Sequence, residues 1–239
     1  MMKYAIIAAG EGSRLKQGGI HTPKPLITIL ETPLIEMHIR RAEKYGFGEI
    51  CVIVNDLTPE PAQWLANHKS SLPLETLVKT TPGSMYSFHA LSPLLKNSEF
   101  LLTTVDPVFT EQAFEKFLQT VNSQSGADGI MAVTSLVDDE NPLWVQTLED
   151  GRITGYGNQN CPTPWVSAGF YFFRPRVIPL LEDAMNAGIL RMRGFQQYLI
   201  DRSCHLIACD VGQVIDVDFP ADIEKAEWLL TSGSMGKAE

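Results

Sequence analysis

Two groups of residues in this sequence have the types and spacing needed for phosphate chemistry, and the first lies near the N-terminus. Residues 4–9 are mostly apolar and precede the sequence GEGSR at residues 10–14, with PKPL following at residues 23–26. Glycines let a chain turn sharply, and successive backbone N–H groups in such a turn form an anion-binding concavity. Arg14 and Lys24 add two cations. The pattern predicts a cradle for several adjacent phosphates; the alternative is an ordinary strand-to-loop turn with incidental surface cations.

Two other glycine motifs do not fit this segment. A dinucleotide-binding fingerprint requires a third Gly or Ala at the position where Leu15 stands. A loop, and no helix, is expected after it over residues 16–23, so a pyrophosphate would meet no helix N-terminus there. A P-loop requires the triplet Gly-Lys-Ser/Thr, which this sequence does not contain.

The second group consists of carboxylates. Asp106 follows an apolar segment at residues 100–105, and Asp216 and Asp218 lie before the last predicted helix. Ligands of open parallel sheets bind beyond the carboxyl ends of the strands, and side chains two apart in an extended segment share a face. Magnesium takes one or two carboxylates together with substrate phosphates, so these residues predict a magnesium site. Alternatively, Asp106 is a turn carboxylate, and Asp218 or Asp222 caps the final helix.

Composition narrows the class of protein. The chain has 239 residues, of which 44% are hydrophobic, and a formal net charge of −9. This composition predicts a globular protein with a substantial core, and the charge and the lack of a long Lys/Arg run argue against a nucleic-acid partner. No segment is long and apolar enough for a membrane span. The four cysteines have no Cys-x-x-Cys spacing and are interpreted as free thiols, so a cytoplasmic location is expected.

The order of predicted elements favours an α/β protein. Up to residue 122, strands at 4–9, 49–54, 74–79 and 100–105 alternate with helices at 34–45, 60–68, 84–95 and 111–122. Beyond Gly129, strands are predicted at 130–135, 144–147, 153–156 and 169–173, and helices at 175–187, 194–201 and 221–230. This order predicts a mostly parallel sheet with helices on both faces. We expect residues 1–230 to form one domain, with a nucleotide-binding half and an acceptor-binding half, and residues 231–239 to form a tail.

Together these segments resemble the nucleotidyltransferase superfamily, which includes sugar-phosphate nucleotidyltransferases and phosphocholine cytidylyltransferases. The resemblance begins with AAGEGSRL at residues 8–15 and continues with PKPL at 23–26 and PLIE at 33–36. TPGS at residues 81–84 resembles the family's turn beside the nucleotide base, and SAGFYFF at 167–173 resembles the strand that lines the acceptor pocket. DVDFPADI at residues 216–223 resembles the closing motif.

The resemblance implies a three-layer α/β/α sandwich with a mixed, mostly parallel central sheet. It implies transfer of a nucleoside monophosphate from an NTP to a small phosphorylated acceptor, with release of pyrophosphate and with magnesium as cofactor. The implied catalytic residues are Arg14, Lys24 and Asp106. The implied magnesium ligands are Asp106 and Asp216, with Asp218 in reserve. The implied nucleotide-binding residues are Ala8, Ala9, Gly10, Glu11, Gly12, Ser13, Gly83 and Ser84.

The acceptor half departs from the family pattern. Sugar-directed members carry a Glu-Lys-Pro element after an Asp-Gly-Arg hairpin, but here GYGNQNCP at residues 155–162 follows the hairpin, and Ser167 replaces an Asn. The aromatic residues Trp144, Tyr156, Trp165 and Tyr171 would suit a choline-like ammonium, or belong to the core. The alternatives are a phosphocholine-type cytidylyltransferase and a non-catalytic nucleotide-binding module. A molybdopterin-type or isoprenoid-type cytidylyl or guanylyl transferase shares the opening motif, but PKPL at residues 23–26 fits the sugar and choline branch better. Asn55 and Asp56, at another strand end, are interpreted as a turn.

Overall fold

A computed structural model describes residues 1–136, 141–157 and 163–232. The strands of this part of the chain are β1 (Lys3–Ala8), β2 (Thr28–Ile29), β3 (Thr32–Pro33), β4 (Glu49–Val54), β5 (Leu74–Val78), β6 (Phe100–Thr104), β7 (Pro107–Val108), β8 (Gly129–Thr134), β9 (Trp144–Thr147), β10 (Ile153–Gly157), β11 (Val166–Phe173), β12 (Leu206–Asp210) and β13 (Ile215–Asp216). Its helices are α1 (Ser13–Gln17), α2 (Leu34–Lys44), α3 (Glu60–Asn67), α4 (Ser84–Leu95), α5 (Glu111–Ser123), α6 (Val177–Asn186), α7 (Met192–Asp201) and α8 (Pro220–Ser232), with a 3₁₀ turn at Lys24–Leu26.

The N-terminal half of the main sheet is parallel. Strands β6, β1, β4 and β5 lie side by side in that order, with β1 between β6 and β4. Five of the six residues in β1 and in β4 are buried, because helices cover both faces of these strands. The carboxyl ends of β1 and β6 therefore meet at one edge of the sheet, where the glycine turn and Asp106 follow them.

The C-terminal half is mixed and centres on β11. This strand runs antiparallel to β6, β8 and β9, while β12 pairs parallel with β8. The β11–β8 register shifts between Ser167 and Tyr171, and Gly169 inside this bulge has a left-handed φ of 79°. The bulge redirects the side chains near the start of β11, at the same edge of the sheet as the end of β6.

Helices lie on both faces of the sheet, and each face has its own hydrophobic core. Alternate residues from the start of β1 separate into the two cores: Tyr4, Ile6 and Ala8 lie in one, and Ala5, Ile7 and Ala9 in the other. The first core contains buried residues of α2, α5 and α8, and the second contains buried residues of α4, α6 and α7. The prediction of a three-layer α/β/α sandwich with a mixed sheet is thus confirmed.

Several local predictions differ from the structure. A short helix, α1, occupies residues 13–17, where a loop was expected from residue 16. Strand β12 was not predicted, and neither were the two-residue strands β2, β3 and β7. Helix α8 extends to Ser232, two residues into the predicted tail, and residues 233–239 lie outside the described part. The assignment of residues 1–230 to one domain stays a prediction. None of the described helices is both long and apolar enough to cross a membrane.

Candidate active site

The glycine turn connects β1 to α1 and depends on one unusual backbone position. Gly12 has a left-handed φ of 62°, and a Cβ atom built on it would lie 3.3 Å from Cβ of Lys24. A larger residue would be strained there and would press on the segment that carries the lysine. In contrast, a Cβ atom built on Gly10 would meet no heavy atom within 4 Å, so the backbone of Gly10 borders open space.

Asn55, which follows β4, supports the glycine turn through hydrogen bonds. Its side-chain Nδ2 donates to the backbone carbonyl oxygens of Ala9 and Gly10, at 3.3 and 3.4 Å. Its Oδ1 accepts from the backbone N–H groups of Leu57 and Thr58, both at 3.1 Å. The interpretation of Asn55 as a turn residue agrees with these contacts, but its support of the glycine turn was not predicted.

A cleft of about 330 Å³ opens between the glycine turn and the N-terminus of α4. Its lining includes eight of the predicted site residues: Ala9, Gly10, Glu11, Ser13, Lys24, Gly83, Ser84 and Asp106. The predicted nucleotide-binding residues Ala8 and Gly12 lie outside the lining. Thr81 and Ser87 also border this cleft, and their hydroxyl oxygens are 2.6 Å apart. We refer to this space as the nucleotide cleft.

Lys24 lies between two carboxylates and is only 9% exposed. Its Nζ donates to Oδ2 of Asp106 at 2.7 Å and to Oδ1 of Asp218 at 2.6 Å. Burial alone would lower the pKa of Lys24, but the charges of the two carboxylates outweigh burial and raise it. Burial likewise would raise the pKa of Asp106, and Lys24 outweighs that effect and lowers it. The lysine and Asp106 are therefore both charged at neutral pH.

Arg14 points toward a different part of the site from Lys24. Its guanidinium donates to Oδ2 of Asp218 at 2.7 Å and lies over the ring of Phe219, 5.5 Å from the centroid. It borders a second, smaller cleft of about 70 Å³ and is absent from the lining of the nucleotide cleft. Asp218 thus links Arg14 to Lys24, which was not evident from the sequence.

Asp106 and Asp216 come together through a short two-stranded ribbon. Strand β13 pairs antiparallel with β7, so that Asp216 lies opposite Pro107, the residue after Asp106. The backbone N–H of Val217 donates to the carbonyl oxygen of Asp106 at 3.1 Å. The backbone thereby holds the two aspartates as near neighbours at the edge of the sheet.

The oxygens at this point have the chemistry that a hard metal ion requires. Oδ1 of Asp106 is buried and has no hydrogen-bond partner among the described residues. A Cβ atom built on Gly169 would lie 3.7 Å from Oδ1 of Asp216 and 3.5 Å from the Thr104 hydroxyl, so the glycine leaves space beside these oxygens. No group of three or more His, Cys, Asp or Glu side chains in the described chain could hold a metal by itself. Two carboxylates beside a phosphate-sized cleft fit magnesium, which completes its coordination with water and substrate phosphates.

Asp222 has a structural role. Its Oδ2 accepts from the backbone N–H groups of Asp218 and Phe219, at 3.1 and 2.7 Å, and it forms an ion pair with Lys225. Asp222 lies in the first turn of α8 and reaches back to N–H groups that precede the helix, which is the reciprocal contact of a capping box and not the N-cap position that the sequence suggested. By fixing the backbone at residue 218, it also positions the carboxylate that contacts Arg14 and Lys24.

The second cleft borders the Arg14–Asp218 pair and residues of the half that the sequence predicts to bind the acceptor, and it is called the acceptor cleft here. Its lining includes Ser167, Ala168, Asp216, Asp218 and Phe219 together with Arg14. The hydroxyl oxygen of Ser167 lies 3.3 Å from that of Tyr171. Residues 158–162, which contain most of the segment that replaces the Glu-Lys-Pro element, lie outside the described part of the chain.

These features define an α/β protein with a glycine turn, a buried lysine and aspartates at the carboxyl edge of its parallel strands, and comparison with known proteins identifies the family. Residues 4–193 match the family described as the MobA-like NTP transferase domain, and the chain belongs to this family.

Curated relatives are distant in sequence. The bifunctional protein GlmU of Thermodesulfovibrio yellowstonii is 24% identical over 76% of this chain and 40% of its own length. The bifunctional IPC transferase and DIPP synthase of Aquifex aeolicus is 22% identical over 94% of this chain and 51% of its own. The chain thus spans about half the length of these relatives. The inositol-1-phosphate CTP transferase of T. maritima superimposes with a TM-score of 0.82 at 20% identity, covering 100% of this chain and 98% of that one. At that identity the likeness supports the fold.

Proposed function

We propose that the protein is a nucleotidyltransferase that transfers a nucleoside monophosphate from an NTP to a small phosphorylated acceptor and releases pyrophosphate. The observation that carries this proposal is the position of Lys24. It borders the nucleotide cleft and contacts Asp218, which borders the acceptor cleft. A phosphoryl group bound between the two clefts would therefore lie beside a buried ammonium whose pKa is raised by the two carboxylates.

The proposed reaction needs no general base, because an acceptor phosphate dianion is already a nucleophile. One of its oxygens forms a bond to the α-phosphorus of the NTP, and the bond from that phosphorus to the bridging oxygen of the β-phosphate breaks. The electron pair leaves with pyrophosphate. Catalysis then consists of alignment and charge stabilisation. Lys24 stabilises the charge that develops at the α-phosphate, and the N–H groups of residues 10–13 bind the outer phosphates.

Arg14 would act on the phosphates only after leaving Asp218. In the structure its guanidinium is paired with that carboxylate, and this pair lies between the glycine turn and the acceptor cleft. A triphosphate bound at residues 10–13 offers oxygens that compete with Asp218 for the guanidinium. We therefore propose that Arg14 changes partner when the nucleotide binds.

We also propose that the enzyme uses magnesium. Asp106 and Asp216 would hold the ion, and when bound it would neutralise charge on the phosphates that this acidic protein must accommodate. Asp216 is preferred to Asp218 as the second ligand because β13 pairs it with Pro107, the residue next to Asp106, whereas Asp218 holds Lys24 and Arg14.

The proposed setting is the cytoplasm, with small-molecule partners and without nucleic acid. The described cysteines Cys51, Cys204 and Cys209 are free and buried, which suits a reducing compartment. The net charge of −9 disfavours a polyanionic macromolecule as partner.

The test is a pyrophosphate-release screen. Four nucleoside triphosphates are combined with sugar 1-phosphates, inositol 1-phosphate, phosphocholine and phosphoethanolamine, each with and without magnesium. The proposal predicts release that requires both an acceptor and magnesium for at least one pair. If no pair gives release while the NTP still binds, the chain is instead the non-catalytic nucleotide-binding module.

A further inference from the structure

The side of the nucleotide cleft that is formed by residues 81–87 carries no charge. The charged side chains of the lining, Glu11, Lys24 and Asp106, come from other segments of the described chain. Residues 81–87 contribute Pro82 and Gly83 and three hydroxyl groups, those of Thr81, Ser84 and Ser87. When the phosphates of an NTP lie at the glycine turn and Lys24, its uncharged base therefore fits against this side of the cleft.

The side chains that can recognise a base here are hydroxyl groups. The described lining contains no Asn, Gln, His or Arg side chain. An amide side chain presents its donors and its acceptor at fixed places, whereas a hydroxyl group rotates and can donate or accept. Recognition of the base by side chains therefore depends on the proton arrangement that these hydroxyl groups adopt.

Two of the hydroxyl groups are bonded to each other. Oγ1 of Thr81 lies 2.6 Å from Oγ of Ser87, and either oxygen can be the donor. The Thr81 hydroxyl group can instead donate to the carbonyl oxygen of Gly83, at 3.3 Å. That carbonyl oxygen also accepts from the backbone N–H of Ser87 at 3.1 Å, so it keeps a partner when the Thr81 proton turns away. Ser87 is 1% exposed, so packing restricts its side chain.

The pair has two proton arrangements, which offer different groups to a ligand. In the first, Thr81 donates to Gly83 and Ser87 donates to Thr81, so the pair offers only lone pairs and can accept from an amino group. In the second, Thr81 donates to Ser87, and the Ser87 proton is free to donate to an oxo group. The change from the first arrangement to the second loses only the 3.3 Å bond, and a net bond of this kind is worth about 2-fold to 10-fold in an equilibrium constant.

We propose that the Thr81–Ser87 pair contacts the edge of the base and accepts either an amino or an oxo group there. The inference rests on the proposed function and deepens it, because it states which triphosphates the protein uses. For the ring size that the cleft admits, the amino-bearing and the oxo-bearing triphosphate, CTP with UTP or ATP with GTP, bind within about 10-fold of each other. A fixed donor or acceptor would instead reject one of the two by more than about 100-fold.

The first test measures binding of the four triphosphates to the unmodified protein. Isothermal titration calorimetry with magnesium and without an acceptor gives Kd for CTP, UTP, ATP and GTP. The inference predicts that the two Kd values of the tighter-binding ring size agree within about 10-fold, and a larger ratio would overturn it. If this ratio is found but no acceptor supports pyrophosphate release, the inference holds and the proposed function fails. If none of the four binds, both fail.

The second test assigns the two residues by substitution. In Thr81→Val the Ser87 proton loses the hydroxyl group to which it donates, so the ratio of Kd values should shift about 5-fold or more toward the oxo-bearing triphosphate. In Ser87→Ala the Thr81 hydroxyl group still donates to Gly83 and offers lone pairs, so the ratio should shift by a similar factor toward the amino-bearing one. A merely structural role would lower the melting temperature and weaken both triphosphates equally, without a change in the ratio.

Ser92→Ala is the matched control. This residue lies on the same helix, α4, its hydroxyl group donates to the carbonyl oxygen of His89 at 2.8 Å, and it does not line the nucleotide cleft. We expect its ratio of Kd values to match that of the unmodified protein. Unchanged ratios in both Thr81→Val and Ser87→Ala, or shifts of the two in the same direction, would contradict the assignment.

Discussion

The two clefts of this protein differ in how their polar groups are satisfied. Around the nucleotide cleft the charged side chains are already paired, with Lys24 between two aspartates and Arg14 on one of them. The acceptor cleft shares Arg14 and Asp218 with these ion pairs, and it adds a contact between neutral groups, because the hydroxyl oxygen of Ser167 lies 3.3 Å from that of Tyr171. A site for a common, highly charged group can be built from fixed charges and backbone, whereas discrimination among phosphorylated acceptors requires contacts to the rest of the molecule that only the correct acceptor completes. Under the proposed function, the nucleotide cleft would therefore support the reaction and the acceptor cleft would select the substrate.

We expect the largest effect from a substitution of Lys24, because this residue borders the nucleotide cleft and contacts Asp218 at the acceptor cleft. Lys24→Arg keeps the charge but replaces a compact ammonium with a planar fork, and we expect kcat to fall about 100-fold to 1000-fold. Steady-state pyrophosphate release provides the measurement. Lys16→Met, which changes an exposed lysine on α1, should behave like the unmodified protein. Comparable activity of Lys24→Arg would show that the lysine does not act at the transferred phosphoryl group.

The core beneath the nucleotide cleft should make stability depend on pH. Nδ1 of His38 lies within hydrogen-bond distance of the Tyr4 hydroxyl oxygen, at 3.0 Å, and burial, reinforced by Arg41, lowers the pKa of His38 from 6.5 to about 3. Between these values the unfolded chain binds a proton that the folded chain does not, so stability falls as the pH is lowered. From about pH 7 to about pH 5 the loss should be about 2 kcal/mol, measured by urea denaturation.

His38→Gln removes the titrating group and should flatten this part of the pH profile. Gln can still accept from Tyr4 through its side-chain oxygen, so the variant is expected to fold. At about pH 8 the substitution should affect activity less than it affects the pH dependence of stability, because the residue lies in the core and lines neither cleft. An equally steep loss of stability in the variant would assign the effect to other groups.

The glycine turn allows the effects on stability and on binding to be separated. Gly12→Ala places a side chain at a left-handed φ and against Lys24, so unfolding should become easier by about 1 to 2 kcal/mol. Gly10→Ala meets no protein atom, so its melting temperature should hold while KM for the NTP rises as the new methyl group intrudes on the phosphates. Thermal denaturation and NTP titration of both variants measure the two effects. If Gly10→Ala lowered the melting temperature and left KM for the NTP unchanged, Gly10 would not face the ligand.

The smallest expected effect concerns Ser167 at the entrance of the acceptor cleft. Ser167→Ala loses one neutral hydrogen bond, and KM for the acceptor should rise roughly 2-fold to 10-fold with the NTP parameters unchanged. Ser123→Ala, whose hydroxyl bonds its own helix, is the matched control. An increase in KM for the NTP instead would mean that Ser167 belongs to the nucleotide side.

The parallel half was predictable because its signals are local. Each strand there is a short apolar run, and an amphipathic helix such as α2 follows with buried residues at helical spacing, including Leu34, Ile35 and His38. The position of Asp106 followed from the same logic, since a carboxylate after a buried strand lies at the binding edge of a parallel sheet.

The parts that were not predicted depend on distant partners or on short segments. Strand β12 pairs with β8, which lies far earlier in the chain, and its short apolar run alone does not distinguish a strand from a buried helix segment. Helix α1 has only five residues, too few for a periodic signal. The support that Asn55 gives to the glycine turn was missed as well, because the sequence does not show which distant carbonyl groups its side-chain amide reaches.

The most direct measurement of the central claim is pyrophosphate release by Asp106→Asn beside the unmodified protein, with the melting temperatures of both recorded. The substituted side chain would keep the shape of the aspartate and leave Lys24 paired with Asp218, so the fold should persist with a shift of a few degrees. The proposed mechanism predicts at least about a 100-fold loss of magnesium-dependent release. Undiminished release by a folded Asp106→Asn variant would contradict it.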